Sequence, residues 1–255
     1  GGGDRKAVRA ASWLRDGKRV VAGSDDGLVR VWNVSGGMKD GGLGDGGADA
    51  TLQAHGDKVT SVKVVSFRRD DHPGAKQKSK KEGKKRPHNT ASALEESFSA
   101  PAWSELVVSG SYDHTVRVWD VESPDGEDKC VSIMHHGDPV QALLVLPPVG
   151  GSHAGGGGGN RRKKASKLDG QPLLVSAGGT TLKVWNPFNG ACLGTFPTKH
   201  AKTITSLCLL DVPHDEDDGG AESGRRKRHI LTGGLDGLLR IHSATGEDIA
   251  SGALP

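Results

Sequence analysis

Cysteine, aromatic residues and long apolar runs are all scarce in this sequence of 255 residues. Its three cysteines, Cys130, Cys192 and Cys208, are odd in number and far apart, and none has the spacing of a zinc site. We therefore expect free thiols in a reducing compartment. No apolar stretch is long enough to cross a bilayer or resembles the core of a secretory signal. The chain starts with Gly1 rather than Met, so we expect a fragment, a processed start or a trimmed gene model.

The common signatures of nucleotide-binding enzymes are missing as well. The glycine tracts are not followed by Lys and Ser or Thr, which excludes a P-loop, and no G-x-G-x-x-G motif joins a strand to a helix. Aromatic residues make up 4% of the chain and do not alternate with basic ones, so no base-stacking platform is visible. The sequence predicts no catalytic residue, no metal site and no cofactor.

What the sequence does contain is a repeat. Glu105–Val121, ELVVSGSYDHTVRVWDV, reads as two short strands joined by a tight turn, and its second strand alternates apolar and polar residues. The same order of features returns in Val20–Val34, Leu174–Asn186 and Leu231–Ser243. Four such copies predict an all-β domain built from repeated strand units.

These copies resemble the WD-repeat family of β-propellers, in which each repeat supplies one four-stranded blade. The resemblance implies an all-β WD40 β-propeller with four recognisable blades, at residues 7–53, 55–134, 136–196 and 200–255. The related family has seven blades and a C-terminal helical domain, so the resemblance also implies that this propeller is partial. Residues 249–254 are expected to form a last strand.

Long insertions separate the predicted strands at residues 35–49, 69–103, 147–171 and 212–227. Three of them join the first two strands of a blade, and the other joins the last two. Both kinds of connection lie at the same end of an up-and-down blade, so we expect every long loop to emerge from one face. Such clustering often marks a binding face, although long surface loops are also tolerated at little cost.

Basic residues are concentrated in three of these insertions. We expect the runs to be solvated and disordered when alone, because like charges packed so densely repel each other. They fit nuclear import or contact with RNA phosphates, and the alternative is that they are solubilising loops. Three such runs on one predicted face favour a nuclear, RNA-rich setting. The residues are Lys80, Lys81, Lys84, Lys85, Arg86, Arg161, Arg162, Lys163, Lys164, Arg225, Arg226, Lys227 and Arg228.

The second repeat contains a Ser, a His and an Asp that could be mistaken for the catalytic triad of a hydrolase. The WD-repeat resemblance instead implies a structural hydrogen-bonded chain of His55, Ser109, Asp113 and Trp119, in which each buried polar group finds a partner. The same resemblance implies partial sets in the other repeats, namely Asp26 and Trp32; His136, Ser176 and Trp185; and His200, Thr232 and Asp236. In the first repeat Ala22 replaces the Ser, and in the last His242 replaces the Trp. We therefore expect Asp113→Ala to be the most damaging substitution of a turn Asp.

Five segments make the resemblance more specific than WD repeats in general: GSYDHTVRVWD, MHHGDPVQALLVLP, LLVSAGGTTLKVWN, HAKTITSLCL and HILTGGLDGLLRIHS. The resemblance covers Ala7 to Ser243, apart from the insertions. They are similar to the family of WD-repeat proteins associated with the U3 small nucleolar RNA, in the t-UTP group of the small-subunit processome. This implies a nucleolar scaffold that supports processing toward 18S rRNA and rDNA transcription. The implied partners are other processome proteins, the U3 snoRNP and pre-rRNA, with no membrane and no small-molecule substrate. The alternative is a WD-repeat adaptor that binds peptides in signalling or ubiquitin ligation.

Overall fold

The computed structural model describes residues 6–35, 48–53, 55–68, 103–123, 129–148, 171–213 and 226–243. Regular structure in these ranges consists of fifteen β-strands, and no helix there is long and apolar enough to cross a membrane. The strands are β1 (Val8–Trp13), β2 (Arg19–Ser24), β3 (Leu28–Asn33), β4 (Ala50–Gln53), β5 (Val59–Arg68), β6 (Trp103–Ser111), β7 (Thr115–Trp119), β8 (Cys130–His135), β9 (Val140–Leu146), β10 (Leu173–Gly178), β11 (Thr181–Trp185), β12 (Cys192–Pro197), β13 (Ile204–Pro213), β14 (Arg226–Gly234) and β15 (Leu239–Ser243).

The strands form four antiparallel sheets in which neighbours in sequence are neighbours in space. Sheet 1 is β1-β2-β3-β4, sheet 2 is β5-β6-β7-β8, sheet 3 is β9-β10-β11-β12, and sheet 4 is β13-β14-β15. Each sheet is therefore an up-and-down meander, as expected of a propeller blade. This confirms the predicted all-β propeller class.

The central hairpin of each sheet follows from the repeated sequence. In β6 and β7 the valines are buried on both faces, because a neighbouring sheet covers each side. The turn between these strands needs one residue in the left-handed region. Gly27, His114 and Gly237 occupy that position in sheets 1, 2 and 4, with φ of 81°, 70° and 76°. The position favours glycine because a Cβ atom strains this conformation.

Consecutive sheets pack face to face, and their first strands β1, β5, β9 and β13 lie side by side. Glycine in the second strand permits the close approach. A Cβ atom on Gly110 would lie 2.7 Å from Val140 Cγ1 of the next sheet. The resulting core is a series of apolar layers between sheets, such as the layer in which Trp119 of sheet 2 packs with Val29 and Val31 of sheet 1.

The predicted limits of two insertions are wrong. The insertion predicted at 69–103 includes Trp103, which is the first residue of β6. Residues 212–227 were expected to form a loop, but β13 continues to Pro213 and β14 begins at Arg226. The ladder pairs Val212 with Lys227 and Asp211 with Arg228, and the second pair places opposite charges across neighbouring strands. Most of the other inserted residues, and the strand predicted at 249–254, lie outside the described residues.

Candidate functional site

The most distinctive polar feature of the fold is a buried hydrogen-bonded chain in sheet 2. Its His lies just before β5, its Ser on β6, its Asp in the β6–β7 turn and its Trp at the end of β7. Asp113 Oδ2 lies 2.9 Å from His55 Nδ1, and His55 Nε2 lies 2.8 Å from Ser109 Oγ. Trp119 donates its indole N–H to the same Oγ at 2.9 Å. The structure thus brings together all four residues of the predicted chain.

The protonation of this chain follows from its partners. A carboxylate can only accept, so Nδ1 of His55 carries the proton and Nε2 accepts one from Ser109. Burial lowers the pKa of His55, and Asp113 offsets this only in part, so the imidazole is neutral at pH 7. Burial alone would raise the pKa of Asp113, but hydrogen bonds from Thr115 and His55 outweigh it and lower that pKa to about 2.

These distances would suit a Ser-His-Asp nucleophile, but the surroundings of the serine do not. Ser109 is 0% exposed, and the side chain of His55 is fully buried as well. A substrate carbonyl cannot reach Ser109 Oγ without opening the packing between sheets 1 and 2. The oxygen is also occupied by the indole N–H of Trp119. The arrangement therefore satisfies buried polar groups and leaves no approach for a reactant.

Sheet 3 carries a shorter version of the chain. Trp185 Nε1 donates to Ser176 Oγ at 2.7 Å, and Ser176 Oγ lies 2.8 Å from His136 Nδ1. The β10–β11 turn is one residue shorter than in sheet 2 and supplies no carboxylate, so His136 Nε2 faces the Thr181 hydroxyl at 3.3 Å. Burial, followed by the positive charge of Lys183, lowers the pKa of His136 to about 4. This histidine is neutral at physiological pH.

Sheet 4 corrects the expectation that its chain is incomplete. His200 Nδ1 lies 3.0 Å from both oxygens of Asp236, and its Nε2 lies 2.8 Å from Thr232 Oγ1. His242 Nε2 then lies 3.1 Å from the same Oγ1, where sheet 2 has an indole N–H. Because an imidazole N–H can replace an indole N–H as the donor, the substitution of Trp by His preserves a chain of four groups.

Among the described sheets, sheet 1 is the one in which the hydrogen-bonded chain of side chains is interrupted. Ala22 stands where the other sheets have Ser or Thr, and Trp32 Nε1 is buried without a partner in the described structure. The turn residue Asp26 binds instead to Arg30, with 2.7 Å between a guanidinium nitrogen and Oδ2, and accepts a hydrogen bond from Ser24. Its role is thus local to the β2–β3 hairpin.

The described residues hold no cluster of three or more His, Cys, Asp or Glu side chains able to bind a metal ion. Cys130, Cys192 and Cys208 form no disulfide bond in the described structure, and the first is half-buried and the other two are exposed.

The basic runs fall into two classes. Lys80 to Arg86, Arg161 to Lys164 and Arg225 lie outside the described residues. The backbones of Arg226, Lys227 and Arg228 belong to β14 instead of the predicted loop. The Arg228 guanidinium donates to the carbonyl oxygens of Pro147 at 2.7 Å and Pro148 at 3.3 Å, at the end of β9 in sheet 3. This side chain ties sheet 4 to sheet 3.

Two supporting contacts were not anticipated from the sequence. The hydroxyl of Thr115 donates to Asp113 Oδ1 at 2.7 Å, and the spacing Asp-x-Thr could have indicated this local bond. Two guanidinium groups lie near the ring of Trp103, at the start of β6, with Arg15 at 4.2 Å and Arg68 at 5.4 Å from the ring centre. No local pattern indicates this arrangement, because Arg15 comes from sheet 1.

Comparison with known proteins agrees with this geometry. The family model described as WD domain, G-beta repeat matches residues 2–33 and 97–120. Proteins named U3 small nucleolar RNA-associated protein 15 homolog are also similar. The Xenopus laevis protein is 27% identical over 94% of this chain and 30% of its own length, and the Gallus gallus protein is 29% identical over 94% and 38%. The Bos taurus protein is 32% identical over 56% of this chain and 20% of its own length.

The chain thus contains WD40 repeats and is homologous to these proteins across most of its length. It spans 30% of the length of the Xenopus laevis relative and 38% of the length of the Gallus gallus relative.

Proposed function

We propose that the protein is a non-catalytic scaffold of ribosome biogenesis. It acts in the nucleolus, within the small-subunit processome, where it helps process pre-rRNA toward 18S rRNA. Through the t-UTP group it also supports transcription of rDNA. Its partners are other processome proteins, with the U3 snoRNP and pre-rRNA contacted through them or through the basic segments.

The observation that carries this proposal is the homology over most of the chain to proteins whose names associate them with the U3 small nucleolar RNA. A scaffold role is further supported by the buried chains. Ser109, Ser176 and Thr232 are each 0% exposed and are occupied by structural hydrogen bonds, so the described hydroxyls that imitate a nucleophile are inaccessible. A rigid propeller of this kind offers its loops and outer faces to partners.

The composition of the insertions supports contact with RNA. Residues 149–170 contain Arg161, Arg162, Lys163, Lys164 and Lys167 against a single acidic residue, Asp169. Such runs bind phosphates without reading sequence, and the affinity falls steeply with salt. Recognition of a particular RNA must therefore come mainly from protein partners, while the runs add an electrostatic term.

The test is a pull-down of the tagged full-length protein from cells, washed at salt rising from about 0.1 M to about 0.5 M. The eluate is probed for U3 snoRNA and for the 5′ end of pre-rRNA. We expect both RNAs to persist at the highest salt, because assembly through proteins survives conditions that remove phosphate contacts. Loss of both RNAs, with only loosely held RNA at low salt, would contradict the proposal and favour a peptide-binding adaptor.

A matched variant separates the basic run from the scaffold. Replacing Arg161, Arg162, Lys163 and Lys164 with Gln should lower total RNA recovered at low salt, and it should leave U3 snoRNA at high salt unchanged. If the variant instead loses U3 snoRNA at high salt, the run itself holds the complex, and a scaffold that reaches RNA through proteins is the wrong description.

A further inference from the structure

One end of the junction between sheets 1 and 2 gathers two cationic side chains at an indole ring. Arg15 lies in the β1–β2 turn of sheet 1, whereas Arg68 ends β5 and Trp103 begins β6 in sheet 2. The Cζ atom of Arg15 lies over the Trp103 ring at 4.2 Å from its centre, and that of Arg68 lies over it at 5.4 Å. Both distances fall within the roughly 6 Å at which an indole attracts a guanidinium group. We call these three residues the arginine–tryptophan cluster.

The fold fixes the members of this cluster. Trp103 and Arg68 are partners in the β5–β6 ladder, which places both side chains on one face of sheet 2. Arg15 comes from the neighbouring sheet, and its backbone N–H donates to Glu105 Oε1 at 2.8 Å. Ser66 donates its hydroxyl to the same oxygen at 2.9 Å, so this carboxylate is held in place as well. The two guanidinium groups are therefore brought to one ring by strand pairing and by the packing of sheet 1 on sheet 2.

Neither guanidinium group of the cluster is paired with a carboxylate in the ranges that the structure describes, and both side chains are exposed. By contrast, Arg9, Arg19 and Arg30 each bind an aspartate. Arg19, at the end of the same β1–β2 turn, binds both Asp16 and Glu122, each at 2.6 Å. The acidic side chain of this turn is thus already engaged, and the N–H groups of the cluster are left for an anion from outside.

The cluster lies at the end of the sheets where the long insertions are expected to emerge. The β1–β2 and β5–β6 connections both join the first and second strands of a meander, so they lie at the same end. In the sequence, Arg68 and Trp103 flank the insertion that contains the basic run from Lys80 to Arg86. The cluster and this run carry the same sign of charge, and both attract a partner with many negative charges.

Two planar cations at one aromatic ring suit a chain of phosphates. A guanidinium group can donate two parallel N–H bonds to one phosphate, and this geometry is more specific than the point charge of a lysine. Stacking on the indole holds the group in one orientation, so less freedom is lost when the phosphate binds. Because Arg15 and Arg68 already lie over the ring, Trp103 positions these two cations and is not itself a platform for a base.

We propose that the arginine–tryptophan cluster binds the phosphate backbone of single-stranded RNA, with Arg15 and Arg68 donating to phosphates and Trp103 as their positioning residue. This inference rests on the proposed function, in which the protein works beside RNA, and it adds a site on the folded surface to the basic runs. RNA fits better than an acidic protein segment, because one continuous phosphate chain can engage both the cluster and the adjoining run. Such contacts fix position and read no sequence.

The test measures binding of a fluorescein-labelled oligouridylate of about 16 nucleotides to the full 255-residue chain, by anisotropy at several salt concentrations. For a single strand, the slope of log K against log salt has a magnitude of about 0.7 for each phosphate contact. We expect the double variant Arg15→Gln/Arg68→Gln to lose about 1.4 of this slope and to bind more weakly at low salt.

A matched control removes the same amount of charge elsewhere. Lys199 and Lys202 are exposed residues of the β12–β13 connection, which joins the last strand of one sheet to the first strand of the next and so lies at the opposite end. The double variant Lys199→Gln/Lys202→Gln should keep the slope of the wild type. Far-UV circular dichroism shows that each variant retains its β structure.

Substitutions of Trp103 and Glu105 test the arrangement itself. Trp103→Leu keeps both arginines but removes the ring, so it should show part of the loss seen in the double arginine variant. Trp103→Phe keeps an aromatic ring and should restore most of that loss. Glu105→Gln removes a negative charge beside Arg15 and keeps a carbonyl oxygen as the acceptor, so it should strengthen RNA binding.

A double arginine variant with the slope of the wild type would overturn the proposal, as would an equal loss in the lysine control. Tighter binding of polyglutamate than of oligouridylate would also overturn it and would assign the cluster to an acidic protein segment. The pull-down of U3 snoRNA separates this proposal from the proposed function. Retention of U3 snoRNA with an unchanged slope refutes the cluster alone. The expected loss of slope without recovery of U3 snoRNA supports the cluster and contradicts the proposed function.

Discussion

Trp119 and Ser109 share a hydrogen bond of 2.9 Å, whereas Trp32, at the same position in sheet 1, has a buried Nε1 without a partner in the described structure. The difference follows from Ala22, which replaces the hydroxyl-bearing residue of the other sheets. A buried donor without an acceptor costs free energy, because water solvates it in the unfolded chain.

Ala22→Ser should therefore stabilise the protein. The new hydroxyl would accept the Trp32 indole N–H and raise the free energy of unfolding by about 1 kcal/mol. Urea unfolding measures this change. The control is Ala177→Ser, which adds a hydroxyl at a fully buried position that faces no orphaned donor in the described structure and should destabilise the fold. Equal effects of the two substitutions would contradict the assignment.

The turn aspartates should differ in importance. Asp113→Ala leaves the buried His55 without its carboxylate and should cost about 3 kcal/mol of unfolding free energy. Asp26→Ala should cost less, since its partners Arg30 and Ser24 belong to the β2–β3 hairpin itself and no buried histidine in the described structure depends on it. Because His242 completes the chain of sheet 4, Asp236→Ala should resemble Asp113→Ala, contrary to the expectation from sequence. Urea melts that rank Asp26→Ala with or above Asp113→Ala would refute this order.

Stability should fall as the pH drops from about 6.5 to about 4. His136 has a pKa of about 4 in the fold, below its ordinary value of 6.5, so the unfolded chain binds a proton in this window that the folded chain does not. Its contribution is complete above pH 6.5 and is lost progressively toward pH 4, by up to about 3 kcal/mol.

Urea midpoints at several pH values test this assignment. His136→Gln should flatten the pH dependence between 6.5 and 4, although His55 and His242, whose pKa values are also lowered, retain part of it. A variant with the slope of the wild type would show that His136 does not titrate in this window.

Much of the architecture could be predicted because the repeated hairpin carries its own signals. The alternation in β7, the turn around Asp113 and the glycine that precedes it determine strands, register and faces locally. The chain of His55, Ser109, Asp113 and Trp119 was inferred from a family resemblance, and the structure places its atoms within hydrogen-bond distance.

The parts that could not be predicted depend on neighbours distant in sequence. The sequence predicts that Arg228 belongs to a solvated basic run, because nothing nearby indicates that it pairs with Asp211 and donates to the carbonyl of Pro147 at the end of β9 in sheet 3. The sequence predicts that the chain of sheet 4 is incomplete, because His242 replaces the Trp. The role of His242 as a hydrogen-bond donor depends on the position of Thr232, which the sequence does not indicate.

The central claim is that the polar chains hold the scaffold together and perform no chemistry. The most direct test combines two measurements, the unfolding free energy of Ser109→Ala and the reactivity of the wild type toward a fluorophosphonate probe. We predict that the substitution costs about 3 kcal/mol, because Trp119 loses an acceptor and His55 loses a donor, and that the folded wild type is not labelled. Unchanged stability in the variant, together with labelling of the wild type that the substitution abolishes, would contradict the account and identify Ser109 as a nucleophile.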